Sequence, residues 1–284
     1  MSDKIEILGI PFTTLFEQEI LDIIRQTLIR KDSSALFIAT PNPEMILESA
    51  RNFPFKKVIQ STGLNLPDGN GLIWANDFIQ NNLRRKNRLL IAVSGVLSLI
   101  SFIFRSKNDR KRFKKALHGS DLTMKICTDP EISSHGIFLL GNRDGLRSDT
   151  ALLTARKLGK INPAIQIAGS YDGRPNQPDL IEKINHSGAE ILLVAFGAPV
   201  QELWIAENLS QMPQVKVAMG IGGTFDFIAG TIPRAPEIMR KTGFEWLYRL
   251  YRQPKRIARI FRAVFVFPYL IIKNRLANPR KGNI

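Results

Sequence analysis

Short apolar runs recur along the chain, and each ends in a turn of glycine, proline, asparagine or aspartate. Ala35–Ala39 leads into Thr40-Pro41-Asn42-Pro43-Glu44, Leu64–Leu66 into Pro67-Asp68-Gly69-Asn70-Gly71, and Ile137–Leu140 into Gly141-Asn142-Arg143-Asp144-Gly145. Ile165–Ala168 is followed by Gly169-Ser170-Tyr171-Asp172-Gly173, Ile191–Phe196 by Gly197-Ala198-Pro199-Val200-Gln201-Glu202, and Val215–Met219 by Gly220-Ile221-Gly222-Gly223. Between these runs the apolar spacing turns helical. The segment with Phe16, Ile20, Leu21, Ile24 and Leu28 shows it, opened by Thr14 with Glu17 three residues on as a capping box. Lys4–Leu8 alternates like one more short strand. Strands alternating with helices through short glycine-ended loops predict an α/β, Rossmann-like fold, with a largely parallel sheet and helices on both faces. In such sheets ligands bind in the crevice outside the carboxyl ends of the strands, where the turns above lie.

Charge divides the chain further. Arg84–Lys115 holds eleven lysines and arginines against one acid, Asp109; Pro233–Ile284 holds thirteen against Glu237 and Glu245. These stretches carry +10 and +11 in a chain whose total is +15, so the remainder stands at −6. A mildly acidic α/β domain over residues 1–232, with a basic-flanked insertion at about 84–115, is therefore expected to precede a basic helical appendage over 233–284. Each basic stretch adjoins an apolar run, Leu89–Phe104 or Ala263–Ile272. Bases beside apolar surface point to an anionic membrane face. Few aromatics interleave with the bases, and no helix-turn-helix or zinc-finger spacing occurs, so nucleic acid is not expected as a partner. Leu89–Phe104 is shorter than the roughly 20 apolar residues of a spanning helix. It reads as an interfacial or re-entrant helix, or as a buried core helix. The single cysteine, Cys127, excludes a disulfide framework, and charged Met1–Leu8 has no apolar signal core, so a cytoplasmic setting is expected.

The chemistry-bearing residues fall in the turns. Glycines at 220, 222 and 223 let backbone N–H groups approach an anion. Arg249, Arg256 and Arg259 stand seven and three residues apart, on one helical face. Guanidinium forks match phosphate oxygens, and a turn followed by an arginine row suits a diphosphate-bearing substrate. A solvated surface helix has the same spacing. Asp68, between Pro67 and two flanking glycines, suits a general base or a helix cap; Thr40 and Asn42 suit site residues or caps of the following helix. There is no P-loop and no G-x-G-x-x-G fingerprint. No D-x-D pair offers a divalent ion a seat against a diphosphate, and His118, His135 and His186 are scattered. Neither cofactor nor metal is expected.

Together these motifs resemble the WecG/TagA/CpsF glycosyltransferases of bacterial envelope polysaccharide and teichoic acid synthesis, over roughly Ile5 to Arg262. They are the turns at Thr40, Asp68 and Gly197, with Gly119-Ser120-Asp121-Leu122, Gly222-Gly223-Thr224-Phe225-Asp226, Ala229-Gly230, Arg234-Ala235-Pro236, Glu245-Trp246-Leu247-Tyr248-Arg249-Leu250 and Pro254-Lys255-Arg256. The resemblance implies an inverting, metal-independent enzyme that moves a sugar, N-acetylmannosamine or its uronic acid, from a UDP-sugar to a polyprenyl-diphosphate-linked amino sugar. It places the base on Asp68, site residues on Thr40 and Asn42, and the pocket glutamine on Gln201, and it gives the appendage arginines as Arg249, Arg256 and Arg259. Gly141, Gly197, Glu202, Gly222, Gly223 and Asp226 complete the expected substrate site. The implied location is the inner face of the cell membrane. Two departures stand out. Ala116 and Leu117 occupy the place where the family carries a base before the Gly-Ser-Asp motif, and Arg84–Lys115 is longer than the family pattern. The rival readings are a non-catalytic membrane module and a nucleotide-sugar oxidoreductase.

Overall fold

The computed structural model of the chain describes residues 4–31, 34–83, 85–104, 119–141, 149–231, 239 and 257–278, with the backbone alone at 102–104 and 260. Six strands form one sheet: β3 (Leu36–Ala39), β4 (Leu64–Asn65), β5 (Ile137–Leu140), β6 (Ile167–Tyr171), β7 (Ile191–Val194) and β8 (Val217–Gly220). Their order is β4-β3-β8-β7-β5-β6, and every pairing is parallel. Parallel strands covered on both faces need side chains that tolerate burial on either side. The sequences IFLL, ILLV and VAMG supply them, and all three strands are buried at every residue.

Alternation sorts those side chains between two layers. Ile137, Leu139, Ile191, Leu193, Val217 and Met219 pack against α1 (Glu17–Ile29), α6 (Gly119–Thr128), α7 (Pro130–Ser133), α8 (Thr150–Ile161) and α11 (Thr224–Ala229). Phe138, Leu140, Leu192, Val194 and Ala218 meet α9 (Leu180–Ser187) and α10 (Val200–Asn208) on the other side. A third cluster joins α2 (Pro43–Ser49), α3 (Phe53–Ser61), α4 (Asn70–Asn82) and α5 (Arg88–Phe104) to the end of the described chain. That end runs through α12 (Ile257–Phe261), a π-helical stretch (Arg262–Val266) and α13 (Phe267–Ala277), and α13 buries Phe267 and Ile271 in the cluster.

Two local expectations are corrected. The first helix starts at Glu17 behind Phe16, and Glu19 Oε2 accepts from the Phe16 N–H at 2.6 Å; Thr14 does not open it. The reason is an antiparallel hairpin, β1 (Lys4–Ile7) with β2 (Ile10–Thr13), which extends the chain through Thr13 before it can turn into α1. Strand β6 lies later than Ile165–Ala168, because Ile165 N–H is engaged in a turn with Asn162 O at 3.2 Å. Gly169 sits within β6, and the Phe138 ring occupies the place its Cβ would take, 2.5 Å from the nearest ring atom. Gly220 ends β8 inside the fold, with Gln201 Nε2 2.7 Å from the place its Cβ would take, so its lack of a side chain makes room for Gln201.

The order places a topological switch between β5 and β7. After β5 the chain crosses through α8 to β6 on one side; after β7 it crosses through α10 to β8 on the other. Neighbouring strands whose connections diverge leave a crevice at their carboxyl ends.

Candidate functional site at the carboxyl edge of the sheet

Along that edge the loops stand in strand order: Asp68 after β4, Thr40 and Asn42 after β3, Gly222 and Gly223 after β8, Gly197 and Gln201 after β7, and Gly141 after β5. Four strand steps of about 4.8 Å put the ends of this row roughly 19 Å apart. Residues from five separate stretches of sequence thus share one rim.

The Asp68 end is built by backbone pairing that outlasts the strands. Leu66 N–H donates to Ala39 O at 2.9 Å, and Asp68 N–H donates to Pro41 O at 3.0 Å. These two bonds hold the Asp68 loop against the Thr40–Asn42 turn, with Pro67 buried and Asp68 half-buried. Gly69 takes φ 92°, a conformation that favours glycine. Gly71 lets Pro43 approach, since a Cβ there would stand 2.8 Å from Pro43 Cγ.

Asn42 caps α2: its Oδ1 accepts from Glu44 N–H at 3.0 Å and Met45 N–H at 3.1 Å. Thr40 is half-buried against Gly119, whose Cβ position lies 2.9 Å from Thr40 Oγ1. The first glycine of the Gly-Ser-Asp motif is therefore what lets α6 come this close to Thr40.

Gln201 ties the middle of the row together. Its Oε1 accepts from Gly197 N–H and Gly222 N–H, each at 3.0 Å, bracing the β7 and β8 loops against one another. Its Nε2 donates to Glu202 Oε1 at 2.7 Å. Gly222 has φ 55°, and nothing lies within 4 Å of the place its Cβ would take. Its Cα side is open, and glycine is the residue that adopts this backbone most readily.

Glu202 lies wholly beneath Gln201, and its Oε2 has no hydrogen-bond partner among the described residues. Burial pushes its carboxyl up to about 7, and the Gln201 amide offsets part of that shift. Glu202 reaches the rim only through Gln201. Asp226 accepts from the Thr231 hydroxyl at 3.3 Å, tying α11 to its C-terminal turn. Gly141, with φ 86°, donates its N–H to Tyr171 O at 2.7 Å and packs under the Phe196 ring.

Helix α12 meets the same rim. Arg259 in α12 sets Nε 2.8 Å and Nη2 2.5 Å from Glu44 Oε2, in the first turn of α2 beside Asn42. Glu44 closes the Thr40-Pro41-Asn42-Pro43-Glu44 turn. An acid in a helix's first turn reads as a complement to the helix dipole, and nothing local signals a partner 215 residues away. Arg249, Arg256, Asn142 and the segment around Lys115 lie outside the described residues. No group of three or more metal-ligating side chains is gathered among the described residues. An open depression between β6 and α9, lined by Tyr171, Lys183 and His186, lies at the far edge of the sheet and includes none of these rim residues.

The Glycosyl transferase WecG/TagA/CpsF family model matches residues 5–91 and 86–281. The chain is 28% identical over 236 residues to the N-acetylglucosaminyldiphosphoundecaprenol N-acetyl-beta-D-mannosaminyltransferase of Bacillus spizizenii, covering 83% of this chain and 78% of that protein.

Proposed function

The chain belongs to the Glycosyl transferase WecG/TagA/CpsF family and is a glycosyltransferase, and we propose that it moves an N-acetylmannosamine-type sugar, or the corresponding uronic acid, from a UDP-sugar to an amino sugar carried on a polyprenyl diphosphate. The Bacillus relative is named for an N-acetylmannosaminyl transfer to N-acetylglucosaminyldiphosphoundecaprenol. The observation that carries the reading is the shared rim: a carboxylate at the β4 end, a glutamine-braced pair of glycine loops in the middle, and an appendage arginine arriving beside them.

In this reading Asp68 takes the proton from the acceptor hydroxyl as that oxygen attacks the anomeric carbon. The bond to the UDP oxygen breaks on the opposite face, which inverts the anomeric centre. Diphosphate charge grows as UDP departs. The backbone N–H of Gly223, in the turn that Gln201 braces through Gly222, and the guanidinium of Arg259, with Arg249 and Arg256 in the same row, stabilise it without a metal. Gln201 orients the two loops, and Glu202 orients Gln201. Thr40 and Asn42 hold the acceptor side of the rim next to Asp68. The acceptor's polyprenyl tail stays in the cytoplasmic leaflet, so the enzyme works as a peripheral protein on the inner face of the cell membrane.

The test is release of UDP from UDP-N-acetylmannosamine, dependent on an N-acetylglucosaminyl-diphosphate-lipid acceptor, in buffer without divalent metal. Donor-independent of sugar type, or acceptor-independent UDP release alone, would reject the assignment.

A further inference from the structure

Helix α5 is built inside out. Its inward stripe is largely small and polar: Ser94, Gly95 and Ser98 face α4 and α13, and among the described side chains only Ile91, buried, and Leu99, half-buried, are large residues packed inward. Ser94 Oγ accepts from Asn82 Nδ2 at 3.1 Å, and Ser98 Oγ accepts from Trp74 Nε1 at 3.1 Å. Gly95 allows Ile272 of α13 within 2.7 Å of its Cβ position. Most of its large aliphatic side chains point away from the protein: Leu89, Leu90, Val93, Val96, Leu97 and Ile100 are exposed, Leu97 to 60%. They recur at spacings of three and four and make one continuous outer face. In water a helix turns its apolar stripe inward. Small and hydroxyl residues inside with aliphatics outside is the arrangement of helices that pack in lipid.

Helix α13 packs against α5 at Gly95, and the segment leading into it also carries exposed apolar side chains. Phe261, Phe265, Val266 and Tyr269 are exposed, Tyr269 to 62%. Arg275 secures α13 to α4 by donating from Nη2 to Asn82 O at 2.5 Å and Leu83 O at 2.8 Å. The outward aliphatics of α5 therefore belong to a helix held on both flanks, not to a loose end.

Charge identifies the occupant. Arg85, Lys86 and Arg88 are exposed at the N-terminal end of α5, where the helix dipole disfavours cations. Exposed Arg262 and Lys273 flank the appendage side. Residues 85–104 and 257–278 contain no acid. A second copy docked on this face would bring like charges together with nothing to neutralise them. A bilayer with anionic headgroups neutralises them and takes up the aliphatic face. At 17 residues α5 is about 25 Å long, short of the roughly 30 Å hydrocarbon core, and no described helix is long and apolar enough to cross a membrane.

We propose that the outward face of α5 is a lipid-embedded seat that lies in the plane of an anionic bilayer. This deepens, and for its purpose rests on, the reading of a lipid-borne acceptor.

The experiment uses the full chain and vesicles that carry no acceptor, so seating is read apart from transfer. The parent is expected to bind vesicles containing phosphatidylglycerol and to bind phosphatidylcholine vesicles weakly. Val93→Gln/Leu97→Gln/Ile100→Gln is expected to lose at least tenfold in affinity for the anionic vesicles, and to keep the parent's melting temperature and its turnover on a short-chain, water-soluble acceptor. Binding within twofold of the parent overturns the proposal. So does a parent dimer in buffer that the triple variant converts to monomer while vesicle affinity stays unchanged. Independently, Leu97→Cys carrying an environment-sensitive fluorophore, selective because Cys127 is buried, is expected to shift to the blue and be quenched by spin-labelled lipid; an unshifted emission also overturns it. Failure of transfer with seating intact rejects the acceptor assignment and leaves the seat standing.

Discussion

Arg259 and Glu44 join α12 to α2 at the sheet's rim through a guanidinium fork, with Nε contacts of 3.0 and 2.8 Å and an Nη2 contact of 2.5 Å. Both side chains keep some exposure, 43% and 22%, so the pair contributes no more than about 1 kcal/mol to stability. Its effect on turnover is expected to be larger, because departing diphosphate charge is left without a partner. Arg259→Ala should melt within a few degrees of the parent and lose roughly 10- to 100-fold in kcat/KM. Arg259→Lys should recover only part, since an ammonium lacks the fork. Parallel measurement of melting and steady-state kinetics checks this; parent kinetics in Arg259→Ala would show the fork to be a solvated surface pair.

Asp68 is held by its backbone N–H to Pro41 O, a bond that no side-chain change disturbs. Asp68→Asn keeps the shape and removes the basic oxygen. The expected result is a folded protein with turnover down roughly 10²- to 10⁴-fold, and the check is turnover per folded molecule by product mass spectrometry.

The layers of this fold were legible because burial on both faces of a parallel sheet demands apolar runs such as IFLL and ILLV, and sequence shows those directly. The hairpin was not. Its two-residue turn is Leu8-Gly9, with φ 52° and 79°, where an Asn-Gly pair would have signalled it. Helix α3 was also missed, although Asn52 caps it by accepting from Phe55 N–H at 3.1 Å. Strand order includes a pairing between residues more than a hundred positions apart, Leu36 with Val217, and no local pattern encodes it. The motif turns fall along one edge of the sheet. The coupling of Gln201 to two glycine loops, and of Arg259 to Glu44, depends on how the loops meet. Of the arginine row only Arg259 lies among the described residues.

Gly119 and Thr40 give a steric test. A Cβ on Gly119 would stand 2.9 Å from Thr40 Oγ1 and 3.0 Å from its Cγ2. Thr40 follows directly on β3, whose pairing with β4 and β8 leaves its backbone little room to retreat. Gly119→Ala is expected to cost about 1–3 kcal/mol, the range for overpacking, and to lower turnover at least tenfold by turning Thr40. Thr40→Ser in the same chain removes the crowded methyl and should restore part of the stability. Denaturant melts of the two single variants and the double variant provide the check.

Glu202 gives the chain a pH dependence with a defined sign. Its folded carboxyl is pushed from 4.5 to about 7 by burial. Between those values the folded state holds a proton that the unfolded state has released. Stability from this group is therefore complete below about pH 4.5, falls as pH rises toward 7, and is flat above it. The full change is about 3 kcal/mol, at about 1.4 kcal/mol per pH unit. Glu202→Gln keeps an acceptor for Gln201 Nε2 and does not titrate. The melting temperature of the variant minus that of the parent should grow from pH 5 to pH 8, and an unchanged difference would mean that Glu202 stays charged or reaches water.

Transfer without a metal makes the last prediction. A divalent ion that balances a departing diphosphate needs carboxylates at the rim spaced to hold it, and this sequence has no D-x-D pair. It has instead a stretch, Pro233–Ile284, with thirteen bases against two acids, one of whose arginines is already at the rim. Charge neutralised by arginine is screened by salt in a way that an inner-sphere ion is not. Added chelator is therefore expected to leave turnover within twofold of the untreated enzyme. Raising ionic strength from about 0.05 to about 0.5 M shortens the Debye length from roughly 14 to 4 Å and should raise KM for the UDP-sugar several-fold. Inactivation by chelator with recovery on adding magnesium or manganese would instead assign the leaving-group charge to an ion and make the arginine row a docking feature.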